Sequence, residues 1–518
     1  MLAIEFLDHA LEHFADRVAI TDGSLSLTYR QIDERARAIA NALLSEGVEV
    51  GTHVSILSPN HPFVLACQYG ILRAGCVYVP ANYRNSASDT EAQFRKFEVE
   101  WLFYHSSMQE YLDSRGDGFA MVQHKIAIDQ PSGGNPSLVE WSDRFPDKID
   151  LPQRGLDDVI YVGPTGGTSG GGIKGAVHTN FGWENNIANF YAIFPFKKPP
   201  VHIVVAPLSH AANIFHWGMV GMGGTNVICP SPDPDTILST IERYRGSLIF
   251  LPPTLIYMLL AHPDIEKYDL SSLEYMVFGT APMSVEKLKE AIAKFGPILC
   301  QGFGSTETLI MNTFMHREEV TEAAADPSLH RRLASAGRAA PLSRIAVMDD
   351  DGNILPAGTR GEMVVRSTSV MREYFRDPEK TANSKAFGWH HTGDVAEIDE
   401  DGYVYIVDRK NDMIISGGFN IYPGEVEQVI LSHQAIQDCA VVGVPHEKWG
   451  EMVLAAVELK KGHELDKDEL IRLCKDRLGS VKAPKVIEIL AEMPRSPVGK
   501  TLRRAVRDPY WQNENRQI

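Results

Sequence analysis

Basic residues are scarce in this chain of 518 residues. Lysine and arginine number 50, against 67 aspartate and glutamate residues, which gives a formal net charge of −17. Nucleic acids and anionic membranes are bound by basic surfaces, so this balance disfavours both as partners. A phosphate-containing ligand would have to be held by a local group of donors rather than by the charge of the whole chain.

Cysteine is also scarce, and the six cysteines form no CxxC pair: they occupy positions 67, 76, 229, 300, 439 and 474. This usage predicts buried, reduced thiols in a cytoplasmic protein, rather than a zinc site or a disulfide framework. The N-terminal residues include Glu5, Asp8 and Glu12 where a secretory signal would carry basic residues. We therefore do not expect secretion.

One hydrophobic run could be mistaken for a membrane span. Residues 203–230 contain no Asp, Glu, Lys or Arg, but Pro207, His210 and Asn213 interrupt the run. A spanning helix needs about 20 consecutive, predominantly apolar residues. We therefore predict a buried strand followed by a helix that lines a pocket, and no transmembrane segment.

Helix-like and strand-like patterns alternate in the N-terminal part of the chain. Apolar residues have helical spacing in 29–44 and 63–73, and strand-like runs occur at 53–57 and 77–79. This alternation predicts an α/β fold with a large N-terminal domain of layered α/β subdomains. Strand-like runs joined by turns rich in Asp and Gly between 343 and 408 predict a small β-barrel-like part of that domain.

A second, smaller domain is predicted near the C-terminus. A hairpin at 395–407 is followed by a polar segment, and Pro423 then opens a helix with an acidic residue in its first turn, as helix starts prefer. We therefore predict an N-terminal domain of residues 1–409 and an α+β domain of residues 410–518.

The most informative stretch is PTGGTSGGGIKGAVHTN, residues 164–180, which follows a strand-like run. It contains six glycines together with Thr165, Thr168, Ser169 and Lys174. Backbone N–H groups, hydroxyls and one cation are the groups that surround a polyphosphate. A flexible linker is the alternative, which the position directly after a buried strand disfavours.

The same stretch matches three other patterns only in part. Its glycines fit a dinucleotide fingerprint, but the loop is too long after its strand. Residues 167–171 fit a nucleophile elbow around Ser169, but nothing helical follows. The start of a Walker A loop is also present, with Ile173 where a lysine is required. Each of these matches is weak by itself.

Three further motifs carry polar groups suited to a nucleotide. The turn GFGSTE, residues 302–307, has a ring that can stack on a base, hydroxyls for a phosphate and a carboxylate for Mg²⁺. Asp394, in HHTGD, can accept hydrogen bonds from ribose, although a capped turn is the simpler alternative. Lys500, in PVGK, is either a functional cation or a solvated surface charge.

Together these motifs resemble the adenylate-forming superfamily, which includes acyl-CoA synthetases, firefly luciferase and peptide-synthetase adenylation domains. The Gly-rich loop departs from the family pattern, because it is one residue longer and has Gly166 and Ile173 where the family has Ser and Pro. Nearly the whole chain is covered, and the motifs occur in the order of the family: the Gly-rich loop, 207–210, 279–282, 302–307, 361–362, 392–394, 408–409, 416–423 and 497–500.

The resemblance implies a two-step reaction of a carboxylic acid, first with MgATP to give an acyl-adenylate and pyrophosphate, and then with coenzyme A. In the first step, Thr165, Thr168, Ser169 and Lys174 would hold the β- and γ-phosphates, Thr306 would contact the α-phosphate, and Glu307 would ligate Mg²⁺. Phe303 would stack on adenine near Gly279, Thr280 and Ala281, and Gln301 and Gly302 would also bind the nucleotide. Asp394 and Arg409 would bind ribose, and Lys500 would contact both the carboxylate and the α-phosphate. The acid pocket would contain His210, Ala211, Gly304, Ser305 and Leu309.

For the second step, the resemblance implies a mobile C-terminal domain. It would rotate about a hinge at Asn411, where the family has Asp or Lys, and withdraw Lys500 from the active site. Ser416, Gly417 and Gly418 would then form the tunnel through which the narrow pantetheine arm of coenzyme A passes.

Residues 209–215 contain no acidic side chain to pair with the ammonium of an amino acid. We therefore expect a hydrophobic acid, which is aromatic, alicyclic or fatty. Three alternatives stay open: transfer of the acyl group to a carrier protein, ATP-independent hydrolysis by Ser169, and nucleotide binding without catalysis. The sequence also leaves open whether the chain is a homodimer.

Overall fold

The computed structural model describes residues 1–146, 149–165, 172–281, 283–496 and 501–511. These residues form two compact units. The first comprises 1–165, 173–345 and 365–385, and the second comprises 346–364 and 386–511. The domains predicted above, 1–409 and 410–518, were divided where the sequence pattern changes after the hairpin, and that division stays a prediction.

The strands of the described chain are, in order, β1 (Val18–Thr21), β2 (Ser26–Thr28), β3 (His53–Leu57), β4 (Val77–Ala81), β5 (Trp101–Tyr104), β6 (His124–Ala127), β7 (Val159–Thr165), β8 (Lys174–Thr179), β9 (Val201–Val204), β10 (Thr225–Ile228), β11 (Leu248–Leu251), β12 (Tyr275–Phe278), β13 (Leu299–Ser305), β14 (Leu309–Met315), β15 (Arg338–Ala339), β16 (Ser343–Met348), β17 (Arg360–Ser367), β18 (Glu373–Tyr374), β19 (His390–Ile398), β20 (Val404–Arg409), β21 (Ile414–Ser416), β22 (Phe419–Ile421), β23 (Ile436–His446), β24 (Gly450–Leu459) and β25 (Val486–Leu490).

The α-helices are α1 (Glu5–Phe14), α2 (Tyr29–Ser45), α3 (Phe63–Arg73), α4 (Ala87–Lys96), α5 (Gln109–Asp113), α6 (Leu138–Ser142), α7 (Asn180–Ile193), α8 (Ala211–Val220), α9 (Pro234–Tyr244), α10 (Pro253–Leu260), α11 (Val285–Phe295), α12 (Arg317–Ala325), α13 (Pro378–Ser384), α14 (Pro423–Leu431), α15 (Lys467–Lys482) and α16 (Arg503–Trp511).

Two large sheets form the first unit. One has seven strands in the order β18-β8-β7-β4-β3-β5-β6, and the other has nine in the order β15-β14-β13-β12-β11-β9-β10-β1-β2. Their central strands pair in parallel and alternate with helices along the chain. Parallel neighbours need crossover connections, which helices supply. This confirms the α/β class.

Two helices of the first unit begin at a side-chain cap that the sequence offers. Thr28 precedes α2 and forms a capping box with Gln31, and the Thr179 hydroxyl accepts the N–H of Gly182 at the start of α7. The run at 203–230 contains the end of β9 and the buried helix α8, which were predicted, and also strand β10, which was not. That α8 lines a pocket stays a prediction. In the described part of the chain, no helix is long and apolar enough to cross a membrane.

The second unit contains most of a four-stranded sheet and a five-stranded sheet. β16, β17, β19 and β20 form one, and β21 to β25 form the other, with α14 and α15 sharing its apolar core. The predicted hairpin is present as β19 and β20. The six cysteines, which lie in both units, are all buried and unpaired, as predicted.

Arg503, on α16, is the centre of a charge network in the second unit. Its guanidinium donates to both carboxylate oxygens of Glu427 over 2.8 and 2.5 Å. It also donates to Asp408 over 2.5 Å and to Asp412 over 3.2 Å. Asp408 accepts the N–H of Gly424 as well, so the network joins the end of β20 to the first turn of α14.

Candidate active site

The Gly-rich loop is closed by a hairpin. β7 and β8 are antiparallel, and Thr165 at the end of β7 pairs with Lys174 at the start of β8. Because a strand follows the loop, it is neither a nucleophile elbow nor a Rossmann turn, both of which lead into a helix. Thr168 and Ser169 lie outside the described residues.

Two hydroxyl groups orient the carboxylate of Glu307. Thr165 Oγ1 donates to Glu307 Oε1 over 2.9 Å, and the Tyr374 hydroxyl donates to the same oxygen over 3.0 Å. Hydroxyl donors fix the carboxylate without adding a positive charge. The result is a positioned, anionic oxygen ligand of the kind that Mg²⁺ prefers.

Lys174 lies beside the same tyrosine. Its Nζ is 4.8 Å from the centroid of the Tyr374 ring. Tyr374 belongs to the short strand β18, which pairs with β8 so that Tyr374 lies opposite Ala176. Tyr374 therefore contacts both the ammonium of Lys174, at one end of the Gly-rich loop, and the carboxylate of Glu307, which Thr165 at the other end also contacts. A polyphosphate with a divalent cation requires this combination of charges.

Thr306 lies where β7 approaches the turn after β13. The carbonyl oxygen of Thr306 is 2.7 Å from Nε2 of His178, so this nitrogen carries the proton in that contact. A Cβ atom at Gly163 would lie 2.5 Å from Cγ2 of Thr306. Glycine at position 163 is therefore needed for the turn that carries Thr306 and Glu307 to pack against β7.

Six of the predicted ATP- and AMP-binding residues are brought together by two parallel strands. Phe278, the last residue of β12, lies opposite Gln301 of β13. This register places Gly279, Thr280 and Ala281 beside Gln301, Gly302 and Phe303, at an edge where α/β sheets commonly bind ligands. Thr280 has a φ of +67°, which is rare for a β-branched residue and typical of binding sites.

His210 precedes α8 and has a neutral ring at pH 7. Loss of water around the ring, together with the Arg84 cation, lowers its pKa to about 4. Its Nδ1 lies 3.0 Å from the Ser209 hydroxyl. Ala211 is the first residue of α8, whereas Gly304, Ser305 and Leu309 flank the Thr306 turn. Their grouping with His210 in one acid pocket stays a prediction.

In the second unit, Asp394 and Arg409 are cross-strand partners of β19 and β20. Arg409 Nε lies 2.8 Å from Asp394 Oδ1, and Asp394 is 4% exposed whereas Arg409 is exposed. Glu362 accepts the N–H of Gly393 over 3.1 Å. The structure brings these two predicted ribose-binding residues together, and their contact with ribose stays a prediction.

The predicted tunnel residues form a tight hairpin. Ser416 pairs with Phe419, and Gly417 and Gly418 between them have φ of +59° and +83°. Two successive positive φ values favour glycine at both positions. Asn411 lies in a short 3₁₀ turn, Lys410–Asp412. Lys500 lies outside the described residues.

Three residues of the site carry contacts that the sequence analysis did not assign: Tyr374, His178 and Glu362. Tyr374 is in a two-residue strand, too short to produce a periodic pattern. His178 lies in the strand β8 that follows the Gly-rich loop. Successive side chains of a strand point to opposite faces of the sheet, and this alternation is the signal that could have indicated which face His178 is on.

The comparisons with known proteins agree with this geometry. A family model described as AMP-binding enzyme matches residues 7–375, and one described as AMP-binding enzyme C-terminal domain matches residues 425–500. The chain is 34% identical over 496 residues to a feruloyl-CoA synthase of Amycolatopsis sp, covering 94% of this chain and 95% of that protein.

Two other similar proteins extend the comparison. The chain is 31% identical over 532 residues to the medium/long-chain-fatty-acid–CoA ligase FadD8 of Mycobacterium tuberculosis, covering 98% of this chain and 90% of that protein. The solved structure of the amide bond synthetase McbA from Marinactinospora thermotolerans is similar with a TM-score of 0.88 and 27% identity, covering 98% of this chain and 100% of that one.

Proposed function

This chain belongs to the AMP-binding enzyme family and is an ATP-dependent, AMP-forming carboxylate–CoA ligase, and from this premise we propose that it activates a hydrophobic acid at the Thr306–Glu307 turn. The observation that supports this site is the contact of Tyr374 with both Glu307 and Lys174. The reaction uses ATP, Mg²⁺ and coenzyme A, and yields an acyl-CoA, AMP and pyrophosphate.

In the adenylation step, Lys174 and the hydroxyl of Thr165 hold the phosphates at the ends of the Gly-rich loop. Glu307 fits Mg²⁺ because its oriented carboxylate offers a hard oxygen ligand. When bound, the ion neutralises charge that develops on the phosphate oxygens. Thr306 and Lys500 contact the α-phosphate, where the substrate carboxylate attacks.

The surroundings of His210 support an acid without an ammonium group. The His210 ring is uncharged at pH 7, and residues 209–215 contain no acidic side chain. An ammonium buried there would lack an anionic partner and would be near the Arg84 cation, which is costly. An aromatic, alicyclic or fatty acid fits these surroundings better than an amino acid does.

In the thioester step, we expect coenzyme A to reach the acyl-adenylate past the Gly417–Gly418 hairpin. Glycines leave the backbone accessible to the narrow pantetheine arm. A carrier protein with the same arm is the alternative acceptor. The buried, reduced cysteines support a cytoplasmic location, and homodimer formation stays an open question.

A pyrophosphate-release assay with a panel of acids tests the function. Release should require MgATP and a hydrophobic acid together, and coenzyme A should convert the product to a thioester that mass spectrometry detects. Ester hydrolysis without ATP that disappears in Ser169→Ala would instead support the hydrolase alternative.

The Glu307→Gln variant tests the metal assignment. Glutamine keeps the shape and the hydrogen bond from Thr165 but removes the charge, so the Mg²⁺ concentration for half-maximal rate should rise by about tenfold or more, as for lost metal-site contacts. Titration of the pyrophosphate-release rate with Mg²⁺ at saturating ATP measures this. An unchanged Mg²⁺ dependence would show that Glu307 has another role.

The Asp394→Ala variant tests the ribose assignment. Loss of the carboxylate that pairs with Arg409 should raise the KM for ATP by about tenfold, the effect of one hydrogen bond to a charged group. The KM for the acid should change much less. Steady-state kinetics with each substrate varied separately measures both KM values. Equal changes in the two values would contradict the assignment.

A further inference from the structure

Several buried polar atoms near α7 and α8 have no hydrogen-bond partner among the residues that the structure describes. They are Gln68 Oε1, Trp183 Nε1, both amide atoms of Asn186, Asn213 Oδ1 and His216 Nδ1. Each of these side chains belongs to a residue that is at most 2% exposed. Buried polar atoms are nearly always paired, so this group calls for a ligand or water that pairs with it.

These atoms lie around connected aromatic rings in the first unit. Gln68 Nε2 donates to the Tyr78 hydroxyl over 3.4 Å, and the Tyr78 ring is 5.8 Å from that of Tyr161. The rings of Trp183 on α7 and Trp217 on α8 are 5.6 Å apart. Asn186 lies one turn after Trp183, and Asn213 lies one turn before Trp217, so both are near this contact. We call Gln68, Trp183, Asn186, Asn213 and His216 the interior polar cluster.

Aromatic rings flank the interior polar cluster. Tyr69 contacts Trp217, with ring centroids 4.9 Å apart, and its hydroxyl lies 3.3 Å from Nε2 of His216. Tyr161 contacts Trp183, with centroids 5.3 Å apart. Ring faces and edges of this kind favour another planar ring over a flexible alkyl chain.

The cluster is continuous with the candidate active site. On one side, the N–H of Asn213 donates to the carbonyl of His210 over 2.9 Å. On the other side, Tyr161 contacts His178, with ring centroids 6.0 Å apart, and His178 binds the carbonyl of Thr306. An acyl group whose carboxylate is at Thr306 would therefore point its other end toward these polar atoms.

Resting on the proposed function, we propose that the interior polar cluster is a subsite for an uncharged hydrogen-bonding substituent on the far end of the acid. The substrate class is then an aromatic acid that carries a hydroxyl or a similar neutral polar group on its ring. Asn186, Asn213 and His216 pair with that group, and the flanking rings hold the arene.

The charge of the cluster restricts the substituent. Burial, with a smaller contribution from His202, lowers the pKa of His216 to about 3, so the ring is neutral at pH 7. Asparagine, glutamine and tryptophan are also uncharged. An ionised substituent would have no opposite charge in the cluster, whereas a phenol can both donate to and accept from its amides and imidazole.

Matched pairs of acids test this proposal on the unmodified enzyme. Cinnamic acid is compared with 4-hydroxycinnamic acid, phenylacetic acid with 4-hydroxyphenylacetic acid, and octanoic acid serves as a fatty reference. Because a site built for a hydroxyl rejects analogues that lack it, kcat/KM from pyrophosphate release should be at least about tenfold higher for the hydroxylated acids. Equal values, or a preference for the plain acids, would overturn the subsite.

Variants of the interior polar cluster test whether its residues cause the preference for hydroxylated acids. Asn186→Leu and Asn213→Leu replace an amide with an apolar group of similar size, so the preference should fall about tenfold, through KM for the hydroxylated acid. Asn185→Leu is the matched control, because Asn185 is the next residue on α7 but is partly exposed and bonded to the Phe181 carbonyl. It should keep the preference.

The outcomes separate the two proposals. Activity on many acids with no preference overturns the subsite alone and leaves the ligase function standing. Release of no pyrophosphate with any acid overturns the proposed function and the subsite with it. A preference that survives in both leucine variants, with melting temperatures close to that of Asn185→Leu, would also overturn the assignment to these residues.

Discussion

Replacing Lys500 with alanine should slow acyl-adenylate formation by about 10²–10³-fold, the usual effect of removing one preorganised donor from a developing anion. The attack of a carboxylate on the α-phosphate brings two anions together, and a cation between them stabilises the transition state more than the ground state. Pyrophosphate release from acid and ATP measures this step.

The same variant should form thioester at close to the normal rate when acyl-adenylate and coenzyme A are supplied. This follows because the proposed rotation withdraws Lys500 and brings the Gly417–Gly418 hairpin to the site for the second step. Lys461→Ala, which changes an exposed lysine before Gly462, is the control and should affect neither step. Equal losses in both steps, or normal rates in both, would contradict the two-arrangement mechanism.

Replacing Arg503 with methionine should lower the free energy of unfolding of the second unit by about 3 kcal/mol, the lower end of the cost of breaking a buried ion pair. The lower end applies because the Arg503 side chain is 23% exposed. Without it, Asp408 and Glu427 lose their guanidinium partner in a largely buried position. Denaturant unfolding followed by tryptophan fluorescence and circular dichroism measures the change.

Arg504→Met is the matched control for this loss. Arg504 is the next residue on α16, its side chain is 47% exposed, and it pairs with Asp508 one turn away over 2.8 Å. Exposed pairs of this kind contribute about 0.3–0.5 kcal/mol. If the two variants unfolded at the same denaturant concentration, the Arg503 network would not stabilise the unit as argued.

Much of the site could be predicted because its residues lie in short, contiguous motifs. Thr306 and Glu307 are in one turn. The hairpin of β19 and β20 was predicted from its turn, and the register of this hairpin brings Asp394 opposite Arg409. Local signals of this kind, and the alternation of helices and strands, are sufficient for the α/β class and most element positions.

The contacts of Tyr374 could not be predicted in the same way. Tyr374 reaches Glu307 because a two-residue strand, far along the chain, adds to the edge of β8. Long-range pairing of so short a strand leaves no periodic pattern in the sequence. The sequence therefore indicates the Glu307 carboxylate, whereas only the structure shows the hydroxyl groups that orient it.

The unpaired atoms of the interior polar cluster could not be predicted from the sequence either. Asn213 and His216 lie in an apolar helix, where a histidine is most simply a core residue whose polar atoms are paired. Whether a buried polar atom is paired depends on neighbours from α3, α7 and α8, which meet only in three dimensions. Sequence patterns report burial, but they do not report hydrogen-bond satisfaction.

The Arg503 network has a consequence for domain rotation. Asp408 precedes the predicted pivot Asn411, whereas Glu427 and Arg503 follow it. A rotation at Asn411 that carries Glu427 and Arg503 together would thus have to pull Arg503 away from Asp408. The ion pair would then stabilise the arrangement in which Arg503 contacts Asp408. Its strength would therefore contribute to the equilibrium between the adenylating and thioester-forming arrangements. Its release would be assisted by salt, because separated charges are better screened.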